Sequence, residues 1–383
     1  MLSKRRGTSY ALRRLLHGYV SWNSCSRWSV LAPMRILYGV TGCGLGHTMR
    51  ARSLAQHLVA RGHAVKLAAS GRAVNILRQH GLDVVAIDGM TMRFHAGEMK
   101  RGRTLIQLLR RGPRALANNA AVGVWEALTF APEAVVTDFD SFSHAVSVAL
   151  GIPAVSLDHQ HVVDRFVHPD EVRSLLTSYR LASAVVSAKT PACDSYIVTS
   201  FFFPETRRRR STALVGPVVR PEIERATPTR GDHVLVYQTT SGDPRLIPAL
   251  HALPKQHFVL YGLGREERRG NVDLRAFDER RFVRELASAR AVIANGGFTT
   301  LSEAIYLGKP VLSVPIRHQT EQELNAAYVE FLGLGTRLER IDPTAILRFL
   351  SRERSFVKMA DARIRSGTAA ACEALDRALA EAA

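Results

Sequence analysis

A glycine-rich loop near the start of the chain ends in a histidine. Residues 39–47 read GVTGCGLGH and directly follow the apolar run MRILY. Because Gly44 and Gly46 give the backbone room just before His47, the loop can bring an imidazole to the first turn of the next helix. The positive end of the helix dipole disfavours protonation of that imidazole. His47 is therefore a candidate general base for a hydroxyl nucleophile.

Two other interpretations fit this loop less well. A dinucleotide site requires the spacing GxGxxG, whereas Gly42, Gly44 and Gly46 give GxGxG. The acidic residue expected about 20 residues later is also missing, because the next predicted strand ends in Ser70 followed by glycine and arginine. A tight turn with no ligand accounts for one or two glycines, but not readily for four that deliver a histidine.

A second glycine pair lies in the segment ANGGFTTLSEA. Gly296 and Gly297 end a predicted strand. Thr299 and Thr300 open the helix that follows, so free N–H groups and hydroxyls converge at a helix start that suits a pyrophosphate. Glu303 lies one turn further on, within reach of ribose hydroxyls. The alternative is structural, with Thr299 as the N-cap and Glu303 as a solvated helix residue.

Acidic residues follow two other predicted strands of the first half. Asp138 and Asp140, in VVTDFDSFS, either orient His47 or bind the acceptor, with Asp138 as the catalytic candidate, or they cap the next helix. The quartet DHQH at residues 158–161 has the composition of a metal cluster. Neighbouring residues of an extended segment point in alternating directions, which suits acceptor contacts better than one shared ion. We therefore predict no metal site, and the acceptor-side candidates here are Asp158, His159 and Gln160.

These residues require strands and helices that bring them together. From Met34 onward, apolar runs such as MRILYGV, AVKLAAS and AVVTDF alternate with helix-like stretches, which indicates parallel βαβ units. A second series begins with HVLVYQTT and includes HFVLYGLG, RAVIANGG and KPVLSVP. The fold class predicted is α/β, with two facing, doubly wound domains and a cleft between them. A final stretch, residues 345–382, is predicted to be helical throughout.

The predicted boundaries follow changes in composition. Residues 1–33 carry six basic and no acidic residues, and they are either a targeting peptide or the product of a misassigned start, with Met34 the true one. The acceptor-side domain spans 34–213, and a linker rich in Pro and Arg spans 214–232. The second domain spans 233–367, and a terminal helix spans 368–383.

Composition limits the partners of the chain. The formal charge of +18 over 383 residues suits phosphorylated substrates, nucleic acid or an anionic membrane surface. Nucleic acid fits least, since no zinc-finger, RNP-like or basic-zipper pattern occurs. No apolar run is long enough to cross a membrane, and the four scattered cysteines favour a reducing compartment.

Two segments raise the question of a membrane surface. The aromatic triplet at residues 201–203 precedes four arginines at 207–210, and residues 93–114 are basic with few acids. Aromatic residues beside arginines can sit at an anionic interface. The triplet is explained equally well as a buried strand end, followed by a solvated loop.

The second half continues in a pattern typical of one enzyme class. ANGGFTTLSEA is followed by LGKPVLSVP and then by HQTEQELNA, a helix start that carries Gln and Asn. This order resembles the donor half of GT-B glycosyltransferases, in the branch (family 28) of the peptidoglycan N-acetylglucosaminyltransferase and the diacylglycerol galactosyltransferases. A less studied group of microbial transferases with the EQELNA-type segment is more similar still. The resemblance covers residues 34–367 and implies two facing Rossmann-like domains, with the last helix crossing back onto the first.

The resemblance implies a set of donor contacts in the second domain. Gly296, Gly297 and Thr300 would face the donor diphosphate, and Glu303 would face the ribose. The other donor-side residues are Thr240 and Ser241 in a loop near the phosphates, Thr299 at the helix start, Phe277 near the base, Gln322 and Asn325 at the sugar or diphosphate, and Arg317 or His318 at the departing diphosphate.

The same resemblance assigns the N-terminal loop to the acceptor. His47 matches the histidine that ends the family's loop, and Gly44 and Gly46 belong to the acceptor side. This chain has GCGLGH where the peptidoglycan enzyme has a tighter Gly-Gly-His turn, and its DHQH segment also differs. The identity of the acceptor is therefore not carried over from the best-known members.

The sequence thus predicts a glycosyltransferase that moves a hexose from a nucleotide sugar, a UDP-sugar, to an acceptor hydroxyl. The resemblance implies no cofactor, no metal and inversion at the anomeric carbon. The expected acceptor is lipid-linked or a glycan, and the expected location is cytoplasmic, peripheral to the inner face of the membrane. The alternatives are a nucleotide-sugar 2-epimerase on the same scaffold and a non-catalytic protein that binds sugar nucleotides or polyanions.

Overall fold

Two seven-stranded sheets, one in each half of the chain, organise the protein. The computed structural model describes residues 32–42, 44–89, 94–95, 98–99, 101–207, 211–238, 243–356 and 365–382. The first sheet has seven parallel strands, and the second has six parallel strands and one antiparallel edge strand. The predicted α/β fold with two parallel-sheet domains is confirmed.

The strands follow one another along both halves of the chain. They are β1 Arg35–Val40, β2 Ala64–Ala69, β3 Asp83–Ala86, β4 Phe94–His95, β5 Glu98–Met99, β6 Ala134–Asp138, β7 Ala154–Asp158, β8 Phe166–Val167, β9 Ser195–Thr199, β10 Glu205–Thr206, β11 Thr212–Val215, β12 His233–Tyr237, β13 His257–Tyr261, β14 Glu267–Arg269, β15 Val272–Arg275, β16 Ala291–Ala294, β17 Val311–Ser313 and β18 Gly335–Arg337.

Helices connect most of the parallel strands. They are α1 Leu45–Ala60, α2 Arg72–Gln79, α3 Arg101–Thr129, α4 Ser141–Leu150, α5 Val162–Arg165, α6 Asp170–Arg173, α7 Tyr179–Lys189, α8 Pro221–Glu224, α9 Leu246–His251, α10 Glu279–Ser288, α11 Phe298–Tyr306, α12 Thr320–Phe331, α13 Pro343–Arg352 and α14 Thr368–Ala382, with a 3₁₀ turn at Glu353–Ser355. The central strands β6 and β7 are buried along their whole length, as expected for a parallel sheet covered by helices on both faces.

Both sheets reverse their strand order at one point. The first sheet runs β11-β9-β7-β6-β1-β2-β3, so the order turns between β1 and β6. The second sheet runs β14-β15-β13-β12-β16-β17-β18, and its order turns between β12 and β16. Open α/β sheets bind ligands outside the carboxyl ends of the strands at such switch points. The glycine loop follows β1 and the glycine pair follows β16, so both candidate segments lie at a switch point.

The two domains share a buried contact. One apolar cluster contains Phe201 and Phe202 of the first domain together with Phe298 and Tyr328 of the second. The rings of Phe202 and Tyr328 stack with centroids 3.7 Å apart. Phe201 and Phe202 are fully buried. The alternative of a buried strand end therefore holds for these two residues, and they are not available to a membrane surface.

The boundaries differ in detail from those predicted. Strand β11 ends at Val215, so the first sheet extends two residues past the predicted boundary at residue 213. The predicted continuous helix over 345–382 is wrong, because the main chain is non-helical at Ser366 and Gly367. A Cβ on Gly367 would lie 2.0 Å from the carbonyl oxygen of Gly216, so this close backbone crossing requires glycine.

The last helix packs on the first domain. Leu375 and Leu379 of α14 lie in the same buried cluster as Ile36 of β1 and Leu58 of α1. Outside that cluster, Asp376 lies 2.9 Å from Nε2 of His57. Within the described residues, no helix combines the length and apolar character needed to cross a membrane.

Candidate active site

The candidate base lies at the switch point of the first sheet. Helix α1 begins at Leu45, so His47 lies in its first turn, as the glycine spacing predicts. Strand β6 pairs with β1 and ends at Asp138, directly opposite Val40. This pairing places an imidazole and a carboxylate from distant parts of the sequence side by side, with Nδ1 of His47 2.7 Å from Oδ1 of Asp138.

Hydrogen bonds define the tautomer of the imidazole. The side-chain oxygen of Gln160 accepts a bond from the N–H of His159, so its amide nitrogen is the group 3.1 Å from Nε2 of His47. An amide nitrogen only donates, so Nε2 accepts and Nδ1 carries the proton donated to Asp138. The lone pair of Nε2 is therefore directed away from Asp138, in the geometry a general base needs.

Arg50 completes this group one helical turn after His47. Its Nε lies 2.9 Å from Oδ2 of Asp138, and a terminal nitrogen lies 2.5 Å from Oδ1. Asp138 is fully buried, and the bidentate guanidinium supplies its counter-charge. Burial by itself lowers the pKa of Arg50, but Asp138 outweighs burial and raises it. Sequence analysis missed Arg50, although its i, i+3 spacing from His47 places both on one face of α1.

Asp140 has the structural role that one alternative proposed. Its side chain accepts a bond from the N–H of Ser143 at 2.8 Å and caps helix α4. Burial raises the pKa of Asp140. The two carboxylates of the segment therefore have different partners: Asp138 contacts His47, and Asp140 caps the helix.

The second domain approaches this group through two helix starts. A Cβ on Gly46 would lie 2.4 Å from Oγ1 of Thr299, so the first turns of α1 and α11 are in close contact. The N-cap residues are Gly44 and Gly297, which carry no side chain to cap the first N–H groups. Because α11 begins at Phe298, the alternative that Thr299 is its N-cap is wrong. Two positive helix ends therefore meet beside His47, which favours an anion there.

Glu321 joins the two domains at the candidate base. It lies at the start of α12, and its Oε2 accepts a hydrogen bond from the Gln160 amide at 3.2 Å. The same amide contacts His47, so a chain of hydrogen bonds runs from the first domain to the second. Sequence analysis did not select Glu321, although it is adjacent to the predicted donor residue Gln322.

The candidate ribose ligand is engaged by an arginine. Glu303 is buried, and its two oxygens lie 2.6 and 2.7 Å from Nε and a terminal nitrogen of Arg220. Arg220 precedes α8 in the predicted linker and also lies 3.0 Å from Glu279. Glu303 is thus not the solvated residue of the structural alternative, and its contact with ribose stays a prediction.

Three further candidates form a buried support between the domains. His159 stacks on Phe298 with ring centroids 3.8 Å apart, and its Nε2 lies 2.8 Å from the side-chain oxygen of Asn325. The Asn325 amide donates to the carbonyl of Gly296 at 2.9 Å. Burial lowers the pKa of His159, which disfavours the protonated ring. Gln322 lies next to this group, and its oxygen accepts a bond from the N–H of Ile316 at 3.0 Å.

Asp158 is directed away from the other candidates. Its Oδ2 lies 2.7 Å from Nδ1 of His161 and accepts a bond of equal length from Ser156. Burial alone raises the pKa of Asp158, but the neighbouring His161 outweighs it and holds this pKa well below its usual range. No group of three potential metal ligands occurs among the residues that the structure describes.

The remaining candidates lie around the second switch point. Phe277 follows β15 and is 41% exposed, with its ring tilted against Phe282. His318 has a φ of +67°, an uncommon conformation for a non-glycine residue, and its N–H donates to Glu323. The roles proposed for both residues stay predictions. Thr240 and Ser241 lie outside the described residues.

Comparisons with known proteins identify the family and the fold. The profile of glycosyl transferase family 1 matches residues 34–353. An uncharacterized glycosyltransferase of Methanosarcina acetivorans is 25% identical over 366 residues, which cover 84% of this chain and 89% of that protein. One from Methanosarcina mazei is 26% identical over 361 residues, with the same two coverages.

Solved structures match the fold over most of the chain. CalG4, the calicheamicin glycosyltransferase, has a TM-score of 0.62 at 21% identity, covering 92% of this chain and 100% of its own. SsfS6 from Streptomyces sp. SF2575, complexed with thymidine diphosphate, has a TM-score of 0.53 at 19% identity, covering 91% and 96%.

Proposed function

Because the chain belongs to glycosyl transferase family 1, we propose that it transfers a sugar from a UDP-sugar to an acceptor hydroxyl activated by His47. The observation that carries this proposal is the pairing of His47 with Asp138 beside the uncapped start of α11. One side of the cleft then holds a base, and the other holds N–H groups suited to a diphosphate.

In the proposed reaction, the acceptor hydroxyl replaces the Gln160 amide as the hydrogen-bond donor to Nε2 of His47. Its proton passes to Nε2 while the oxygen bonds to the anomeric carbon of the donor sugar. The bond from that carbon to the diphosphate breaks, and the diphosphate leaves with the electron pair. The N–H groups at the start of α11, with Arg317 or His318, stabilise the charge that develops. This single displacement inverts the anomeric centre.

The proposed donor is a UDP-sugar, and its contacts follow the resemblance to the family 28 branch. Gly296, Gly297 and Thr300 bind the diphosphate, while Gln322 and Asn325 hold the loop that presents it. The structure of SsfS6 contains thymidine diphosphate, so TDP-sugars are the second donor class to test. The reaction is proposed to need no metal, and activity should therefore persist in excess EDTA.

We further propose a lipid-linked acceptor at an anionic membrane surface, with a soluble glycan as the alternative. Helix α3 leaves Leu116, Val124, Trp125 and Leu128 exposed, and Arg114 on the same helix is exposed as well. Apolar side chains beside a cation suit the interface of an anionic bilayer. Sedimentation with phosphatidylglycerol vesicles, but not phosphatidylcholine vesicles, should recover the protein. Trp125→Ser should weaken that binding, and equal recovery with both vesicles would contradict the electrostatic part.

Replacement of His47 tests the proposed base. His47→Ala should reduce turnover by about 100-fold or more while leaving the affinity for UDP within about threefold, because the imidazole acts on the acceptor. UDP at millimolar concentration should raise the Tm of both proteins, since it binds only the folded state. Unchanged turnover in His47→Ala would eliminate the base. A Tm that rises with another nucleotide but not with UDP would contradict the proposal that the donor is a UDP-sugar.

The donor sugar and the acceptor require a screen. Purified protein is incubated with a panel of UDP- and TDP-sugars, with and without a lipid extract, and release of the nucleoside diphosphate is measured. Release that depends on the extract supports a lipid acceptor. Sugar-nucleotide isomerisation at C2 without any acceptor would instead support an epimerase.

A further inference from the structure

Arg50 is a charged side chain of the site that the sequence patterns do not single out. We propose that Arg50 is a positioning residue that balances the buried charge of Asp138 and opposes uptake of a proton by the pair of Asp138 and His47, so that Nε2 of His47 stays available to the acceptor. This inference rests on the proposed function, because it assigns Arg50 a role through the base.

Arg50 and Asp138 form a buried, bidentate ion pair. Two guanidinium nitrogens reach the two oxygens of Asp138 at 2.9 and 2.5 Å, and the Arg50 side chain is only 4% exposed. Asp138 is fully buried, and a buried carboxylate without a cationic partner tends to take up a proton. A protonated Asp138 could no longer accept the Nδ1–H bond of His47 as a charged group. Arg50 therefore preserves the tautomer that leaves Nε2 free for the acceptor.

The position of Arg50 also affects the charge of the imidazole directly. Its terminal nitrogen lies 3.1 Å from Nδ1 of His47, and both nitrogens donate to the same oxygen of Asp138. A proton taken up at Nε2 makes His47 a cation beside a second cation, with one carboxylate between them. That repulsion opposes protonation of His47 in the resting enzyme.

Other titratable groups near the site come from β1, from β7 and the residues after it, and from α12. On the first-domain side, Tyr38 of β1 interacts electrostatically with Arg50 and Asp138, and burial raises its pKa well above the ordinary value. Asp158 of β7 is engaged by His161, while burial lowers the pKa of His159. On the second-domain side, Glu321 of α12 reaches His47 only through the Gln160 amide. Arg50 and Asp138 are thus the two charged groups in direct contact with the imidazole.

Removal of the guanidinium should change the pH dependence of the reaction. In Arg50→Met, no guanidinium opposes uptake of a proton by the pair of Asp138 and His47, so the pair holds an additional proton to higher pH. The acidic limb of kcat/KM should then move up by about one pH unit or more, which is at least a tenfold loss at a pH below the limb. Activity lost at pH 7 should return in large part at pH 9, with the KM for the donor within about threefold.

Three variants separate this role from a structural one. Arg50→Lys keeps the charge and should retain the wild-type pH profile with a moderate loss of kcat. Arg61→Met removes a half-exposed arginine just past the end of the same helix and should leave the profile unchanged. In an Asp138→Asn background, Arg50→Met should change turnover less than in the wild-type background, because one of the two effects of Arg50, the balance of the Asp138 charge, is absent.

A direct titration distinguishes failure of this inference from failure of the proposed function. The chain has 14 histidines, and comparison with His47→Gln assigns the NMR signal of His47. In the absence of substrate, the titration midpoint of that signal should be higher in Arg50→Met than in wild type. An unmoved midpoint with an equal loss of activity at every pH would overturn the role of Arg50. If the midpoint moves but His47→Ala keeps full activity, the effect of Arg50 on His47 is supported, and the role of His47 as general base is refuted.

Discussion

The ion pair of Glu303 and Arg220 can be tested by removing one charge without changing shape. Glu303→Gln keeps the size of the side chain and an oxygen that can accept one bond from Arg220. It removes the charge that faces a buried guanidinium at 2.6 and 2.7 Å. Burial alone lowers the pKa of Arg220, and Glu303 outweighs it and raises this pKa above its ordinary value. The pair is therefore strongly coupled in the folded protein.

The size of the effect follows from these contacts. Two unit charges about 4 Å apart attract by about 4 kcal/mol at the effective dielectric constant of protein sites. Glu279, 3.0 Å from Arg220 and partly exposed, compensates part of this loss. Breaking a buried pair typically costs about 3–5 kcal/mol, and with this compensation we expect about 3 kcal/mol for Glu303→Gln. For a domain of this size, that corresponds to a Tm lower by about 10 °C.

Thermal unfolding followed by circular dichroism measures this change. Glu339→Gln is the matched control, because Glu339 is 81% exposed and its ion pair with Arg337 spans 3.8 Å. The free energy of unfolding of this variant should differ from that of wild type by less than about 0.5 kcal/mol. The double variant Arg220→Met/Glu303→Leu should lose less stability than the sum of the losses in Arg220→Met and Glu303→Leu. A Tm within 1 °C of wild type in Glu303→Gln would refute the assigned pairing. Calorimetry with UDP then shows separately whether the ribose contact exists.

Three other predictions concern the cleft and the pH dependence of stability. Gly46→Ala should raise the donor KM about tenfold with little change in Tm, because the added Cβ meets the hydroxyl of Thr299 at 2.4 Å; an unchanged KM would contradict the close helix contact. Asp158→Asn should cost about 3 kcal/mol at pH 7, since it breaks a buried pair with His161, and chemical denaturation measures it. The low pKa of folded Asp158 contributes stability above about pH 4 that is lost as pH falls, so the variant should lose less stability on acidification. Burial lowers the pKa of His168 to about 4, so its contribution is present above about pH 6.5 and falls by about 3 kcal/mol toward pH 4. His168→Gln should flatten that part of the stability curve, and an equally steep curve would contradict the assignment.

The sequence was sufficient to predict the fold and the position of both glycine segments at the ends of strands. Apolar runs alternating with helical stretches predicted parallel sheets, and the structure confirms two of them. The pairing of His47 with Asp138 was one of two alternatives, because both positions follow from strand ends that a parallel sheet places at one edge. Strand periodicity alone did not decide between Asp138 and Asp140. That choice depends on where β6 ends, since Asp138 is its last residue, opposite Val40, whereas Asp140 caps the next helix.

Other parts of the site could not be read from local patterns. Arg220 lies in a segment that composition marks as a linker, and its partner Glu303 is 83 residues further along the chain. Asn325 and Gln322 were predicted to face the donor, whereas their side chains hold main-chain groups of neighbouring loops. Helical spacing tells which residues share a face, but not which atoms that face meets. These contacts depend on how the two domains pack together.

Each glycine of the first loop is required for a different structural reason. A Cβ on Gly39 or Gly42 would lie about 2 Å from a serine hydroxyl, at 1.9 and 2.1 Å, so both positions are close crossings inside the first domain. Gly44 has a φ of +98°, which favours glycine for conformational reasons. Only Gly46 faces the second domain. The loop thus turns the chain tightly enough for Nδ1 of His47 to reach Asp138 while Nε2 contacts the Gln160 amide. Gly39, Gly42 and Gly46 thus meet protein atoms and Gly44 is set by the backbone turn, so each of the four has a structural reason within this loop.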